Sequence, residues 1–263
     1  MPEQYYQIGK WYEEQELFSE AVNEYSKAIA VNGEYTEALI SRADLYSDMG
    51  RLAEAVDDYT SVLALEPDNG YAYNSRGDAW ASLGQHERAV EDFTKALEQF
   101  ENAESYYNRG LSRVVLAQGD AAFADFTNAL TLDPEHGAAY NNRGLLYAAR
   151  NQHQLAIADF SQALEYRKGF ACSFNHRGLS YEKLGNEEQA RLDYTAALQI
   201  APGNMDSLYR RGRLAEKQGN REAAMTDYRT LLRIVMAEHP YRSFAAQRLQ
   251  TLAKEAECVR GDE

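Results

Sequence analysis

The chain is short of several things at once. Cysteine occurs only twice, at Cys172 and Cys258, and neither sits in a CxxC pair. A disulfide framework and a paired-thiol redox centre are therefore excluded, and a reducing, cytoplasmic setting is expected. Five prolines and seventeen glycines in 263 residues leave no room for a long disordered linker. There is no run of eighteen apolar residues, so no transmembrane helix and no membrane partner are expected. The opening MPEQYYQIGKWYEEQ has no basic segment followed by an apolar one, and no signal peptide is expected. Cations are outnumbered, with 27 Lys and Arg against 41 Asp and Glu and a net charge of −14. Such a surface repels phosphate backbones and argues against nucleic acid. The five histidines, at 86, 136, 153, 176 and 239, never fall into a metal-ligand spacing.

What the chain does have is repetition. YNNRGLLY at 140 is matched by YYQIGKWY at 5, LISRADLY at 39, YNSRGDAW at 73, YYNRGLSR at 106, FNHRGLSY at 174 and LYRRGRLA at 208. The steps between them are 34, 34, 33, 34, 34 and 34. A second motif keeps step downstream, as in AVNEYSKAI, AVDDYTSVL and AIADFSQAL. Each half places apolar residues at helical spacing. Gly50, Gly84, Gly185 and Gly219 stand where a helix would end in a left-handed residue, and Pro67, Pro134 and Pro202 close the second helix. Each unit thus reads as helix, tight turn, helix, turn. A hairpin this short cannot bury its apolar face alone, but stacked copies can.

Large residue, glycine, tyrosine, alanine, aromatic, alanine and proline follow one another in Phe174, Gly178, Tyr181, Ala190, Tyr194, Ala197 and Pro202. The pattern resembles the tetratricopeptide repeat (TPR) over residues 2–238. The resemblance implies an all-α, right-handed α-solenoid of seven helix-turn-helix repeats, 2–35, 36–69, 70–102, 103–136, 137–170, 171–204 and 205–238. A capping helix is expected over 239–257, with a frayed tail at 258–263. Repeat 3 is one residue short, and the turn glycine of repeat 4 is displaced to Gly119, so an irregular turn is expected near 116–121.

Numbering each repeat from its first residue, Arg occupies position 7 in every repeat but the first, which has Ile8. Asp precedes the second-helix aromatic in the same six repeats, and repeat 1 has Glu24 there. The arginine is missing only where no repeat precedes. The expectation is a pair between Arg of one repeat and the acid of the repeat before, such as Arg143 with Asp125.

No nucleophile–base pair, phosphate loop or metal set can be placed, so a non-enzyme with no catalytic residue, metal or cofactor is expected. The TPR resemblance implies that first-helix positions 2, 5, 6, 9, 12 and 13 line a concave peptide groove. Acids there gather in repeats 1–3 (Asp44, Asp48, Asp78), and apolar residues in repeats 4–6 (Leu111, Val115, Leu145, Leu179). An amide series, Asn74, Asn108, Asn141, Asn142 and Asn175, is positioned to grip a peptide backbone, with Tyr107, Tyr209 and Arg213 beside it. The expected partner is a protein or peptide with a basic and an apolar part. The alternative is a self-assembling protein, a weak homodimer through Ile8 and Trp11 at the first repeat.

Overall fold

The computed structural model describes residues 1–167, 169–236 and 238–261; side chains from 255 onward, Cys258 among them, lie outside the described residues. The described chain is all helix and turn, and it divides into two bodies, Met1–Pro134 and Glu135–Glu263. The first holds four hairpins: α1 (Pro2–Glu14) with α2 (Phe18–Val31), α3 (Thr36–Asp48) with α4 (Leu52–Leu65), α5 (Gly70–Ser82) with α6 (His86–Gln99), and α7 (Ala103–Val115) with α8 (Gly119–Leu132). The second holds α9 (Gly137–Ala149) with α10 (His153–Tyr166), α11 (Ala171–Lys183) with α12 (Glu187–Ile200), and α13 (Met205–Lys217) with α14 (Arg221–Ile234). It ends in α15 (Pro240–Gly261), which packs on α14 and α13. This last helix runs into the segment from 258 that was expected to fray, while 262 and 263 lie outside the described residues. Within each body, successive hairpins stack as in an α-solenoid.

The core of each body is built on aromatic rings at position 24. Tyr25, Tyr59, Phe93 and Phe126 are fully buried in the first body, and Phe160, Tyr194 and Tyr228 in the second. Each ring lies across a small residue at position 8. A Cβ on Gly144 would sit 2.8 Å from the Phe160 ring, so the helices of that hairpin can approach only over glycine. Asparagine side chains cap several helices, Asn69 on α5, Asn102 on α7 and Asn204 on α13.

The turn of repeat 4 corrects the expectation of irregularity. Ala117 adopts the left-handed conformation (φ 57°) that Gly50, Gly84, Gly185 and Gly219 adopt at the same position. The closing bond from Gln118 N to Arg113 O, 2.8 Å, matches that from Arg51 N to Tyr46 O, 2.7 Å. Gly119 is merely the first residue of α8. The hairpin's packing holds the backbone, and alanine tolerates the strain.

The arginine pairs also differ from expectation. Arg143 meets Asp159 of its own repeat with two bonds of 2.8 Å, not Asp125. Arg42–Asp58, Arg76–Asp92, Arg109–Asp125, Arg177–Asp193 and Arg211–Asp227 pair likewise within the hairpin. Positions 7 and 23 lie side by side across one tight hairpin, so the local acid is the nearer. The link to the preceding repeat is made by the third guanidinium nitrogen. Arg42 Nη1 donates to Ser26, Arg76 to Thr60, Arg109 to Thr94, Arg177 to Ser161 and Arg211 to Thr195, at 2.8–3.2 Å. Those hydroxyls donate to their own helix carbonyls (Thr60 Oγ1 to Val56 O, 2.7 Å), which leaves a lone pair for the arginine. A buried pair of this kind fixes register more than it adds stability.

Candidate ligand groove

In the first body, α3, α5 and α7 present one row of side chains. Asp44, Asp48, Tyr71, Ser75 and Asp78 line a cleft of about 420 Å³. A second cleft of about 440 Å³ shares Asp78 and Ser82 with it and continues over Asn108, Leu111 and Val115. Asp44 accepts a hydrogen bond of 2.6 Å from the hydroxyl of buried Tyr59. Burial raises the Asp44 carboxyl above the ordinary range, against the donors Tyr59 and Tyr71. Burial raises Asp78 further, to about 6; Glu104 adds to the rise, and the Asn108 amide, 2.9 Å away, opposes it. Neither Asp78 nor the exposed Asp48 has an ion-pair partner among the described residues. Val115 is 62% exposed, Leu111 half-buried, and Tyr107 packs against Phe126 with centroids 5.9 Å apart.

The asparagine series divides. Asn74 Oδ1 accepts from Ser105 of the following repeat at 2.5 Å, Asn141 from Ser173 at 2.8 Å, and Asn175 from Ser207 at 3.2 Å. Asn141 is 5% exposed and Asn175 9%. These three join neighbouring repeats, so the expectation that Asn141 and Asn175 line a groove is withdrawn. Position 5 borders a small, buried serine at position 3 of the next repeat, and that contact takes the amide. Asn142 donates to Ala138 O at 3.0 Å along its own helix. Asn108 lines the cleft and donates to Asp78 at 2.9 Å, and the Asn74 amide reaches the other oxygen of the same carboxylate at 3.4 Å.

In the second body Leu145 is exposed and Leu179 half-buried. Tyr209 is covered by α15: Tyr241 stacks on it at 4.4 Å and Phe244 meets it edge-on at 4.9 Å. The expectation that Tyr209 offers open groove surface is therefore corrected. Arg213 is exposed beside it, in a mixed-charge cleft of about 600 Å³ with Glu182, Glu216, Lys217 and Arg248. Glu216 is held by both Arg248 and the Tyr228 hydroxyl, the latter at 2.9 Å.

A feature missed in the sequence governs the acids. Tyr25 donates to Glu13, Tyr59 to Asp44, Tyr194 to Glu182 and Tyr228 to Glu216. Where position 24 is Phe, position 12 is Ala81, Val114 or Ala148. Reading position 24 against position 12 along the chain would have shown three of these pairs; in repeat 2 position 12 is Ser47 and the acceptor, Asp44, stands at position 9.

Comparison with known families decides the identity. Tetratricopeptide repeat models match residues 40–104, 107–170, 171–204 and 206–234. The chain belongs to the tetratricopeptide repeat family. Among solved TPR-like structures it is similar to YrrB, described as a TPR protein with an unusual peptide-binding site (TM-score 0.62, 27% identity, 70% of this chain and 96% of that one). It is also similar to the MamA protein (0.59, 25%, 64% and 92%). Pseudomonas aeruginosa pilF shares the fold (0.70, 22%, 81% and 97%). A comparison with curated proteins finds no match. Among the described residues no TPR helix is long and apolar enough to cross a membrane, and no cluster of three or more His, Cys, Asp or Glu is arranged to hold a metal. The first TPR repeat leaves Ile8 44% and Trp11 55% exposed, although position 10 is buried in repeats 2, 3, 4, 6 and 7.

Proposed function

We propose that this TPR protein is a non-catalytic adaptor, working in a reducing, cytoplasmic setting, that binds a protein segment with a basic and an apolar part in its first body. The observation that supports the reading is the junction of the two clefts at Asp78. On one side lie carboxylates with no cation of their own; on the other lie exposed Val115 and half-buried Leu111. Uncompensated, partly desolvated acids favour Lys or Arg side chains, and exposed aliphatic residues favour an apolar neighbour. The peptide-binding description of YrrB, a relative at 27% identity, agrees with this use of the scaffold.

The test is fluorescence anisotropy with synthetic peptides carrying a basic half and an apolar half. Asp48→Lys and Val115→Glu, both at exposed sites, should each weaken binding by about tenfold. Added salt should weaken the wild type and leave Asp48→Lys nearly unchanged. Equal binding of acidic peptides, or unchanged affinity in both variants, would sink the reading.

Exposed Ile8 and Trp11 support a second reading, weak homodimerisation through the first repeat. Sedimentation equilibrium should then show a dimer that Trp11→Glu abolishes; a monomer at every concentration would refute it.

A further inference from the structure

Position 11 of the first helix carries a large side chain in six repeats: Tyr12, Tyr46, Trp80, Arg113, Tyr147 and Tyr181. It lies on the helix face turned away from the groove positions, next to the position-7 arginine. Arg42 lies 5.7 Å from the Tyr46 ring centroid, and Arg143 lies 6.0 Å from that of Tyr147. Repeat 7 breaks the pattern with Ala215.

The consequence is a cleft of about 410 Å³ between α12, α13 and α14, with Ala215 among its lining residues. Arg211, Asp227 and Thr195 line it together with Arg191 and Ala223. The volume falls within the usual range of small-ligand clefts. Arg211 keeps its bonds to Asp227 (2.7 and 2.9 Å) and Thr195 (3.2 Å), so all three guanidinium nitrogens are engaged in the plane of the group. Its side chain is 27% exposed, whereas the same arginine in the other five repeats is 12–21% exposed. The other five arginines each have a ring centroid within 6.0 Å, from position 4 (Tyr73, Tyr106, Tyr140, Phe174) or position 11 (Tyr46, Tyr147), whereas repeat 7 carries Leu208 and Ala215 at these two places.

We propose that the Ala215 cleft is a binding slot for an aromatic side chain, a tyrosine or tryptophan supplied by a protein partner. The incoming ring takes the place that Tyr46 and Tyr147 occupy beside their own arginines, with its face against the Arg211 guanidinium. Arg191, which also lines the cleft, holds Glu188 through Nε and Nη2 (3.0 and 2.5 Å) and keeps Nη1 for a phenol oxygen. The slot is separate from the acidic cleft of the first body, so it does not depend on that reading.

The probe for the test is p-cresol, the tyrosine side chain as a free molecule, titrated into the full chain and followed by NMR. Saturable shifts are expected at the Arg211 Nε–H and the Thr195 methyl. Ala215→Tyr, which fills the slot from within, should weaken p-cresol by at least about tenfold. Should Ala215→Tyr fail to fold, 4-methylcyclohexanol decides on the wild type: it has the shape without the π face and should bind about tenfold more weakly. No saturable shift up to the solubility limit, unchanged shifts in folded Ala215→Tyr, or equal binding of the two probes would each overturn the proposal.

Discussion

The tyrosine repeats and the phenylalanine repeats solve one packing problem in two ways. In repeats 1, 2, 6 and 7 the buried ring ends in a hydroxyl that must find an acceptor, and Glu13, Asp44, Glu182 or Glu216 supplies it. In repeats 3, 4 and 5 the rings are Phe93, Phe126 and Phe160, and no acceptor is needed. Much of the acidity on the groove side is therefore bound up in holding the core. Repeat 3 is the informative exception. Asp78 occupies the same place as Asp44, but Phe93 offers it no hydroxyl, and its carboxyl is pushed up to about 6. An acid on this surface becomes available to a ligand when the ring beneath it is phenylalanine.

The largest expected effect comes from removing a hydroxyl. Tyr59→Phe leaves the partly buried Asp44 without its closest donor. It should lower stability by about 1–3 kcal/mol, read as a shift of the urea midpoint at constant slope. An unchanged midpoint would break the comparison. Next comes the reverse exchange. Phe93→Tyr should donate to Asp78 and raise stability at neutral pH by about 1 kcal/mol. The sign follows from protonation. The folded Asp78 carboxyl titrates near 6 against an ordinary value of 3.8, so the folded state holds its proton longer. Stability then falls as pH rises through that window and stays reduced above it. A new donor brings the folded value down and shallows the fall, which urea midpoints between pH 4 and pH 7 would register; an identical slope in both proteins would count against the hydroxyl. The smallest effect sharpens the backbone side of the comparison. Ala117→Gly removes the left-handed strain of the repeat 4 turn and should stabilise by about 0.5–1 kcal/mol, with Gly84→Ala costing a similar amount.

The repeat period and the helix pairs were readable because both rest on local pattern: apolar spacing within a helix and a fixed step between hairpins. Direction between neighbours was not. Arg143 has one acid 16 residues ahead and another 18 behind, and periodicity treats the two nearly alike. Only the side-by-side placement of positions 7 and 23 in one hairpin separates them. Asn141 and Asn175 were misplaced for a related reason. A helical wheel assigns position 5 to a face, but whether that face is open depends on how small position 3 of the next repeat is. Tyr209 looked open because the wheel does not show where α15 lies. The acids Asp44, Asp48 and Asp78 were legible as a group, yet the partners of Asp44 and Asp78, Tyr59 and Asn108, were hidden on other helices.

The arginine links have a consequence for lineage as well as for folding. Repeats 2, 3, 4, 6 and 7 each bring an arginine already neutralised by their own aspartate and ask of the preceding repeat only a hydroxyl. A copied or deleted cassette from such a run leaves no orphan charge at the scar. The two outermost cassettes do not share this freedom: the first carries Ile8 in place of the arginine, and the seventh carries Arg229 in place of the hydroxyl. The array can lengthen or shorten from within while its ends stay distinct.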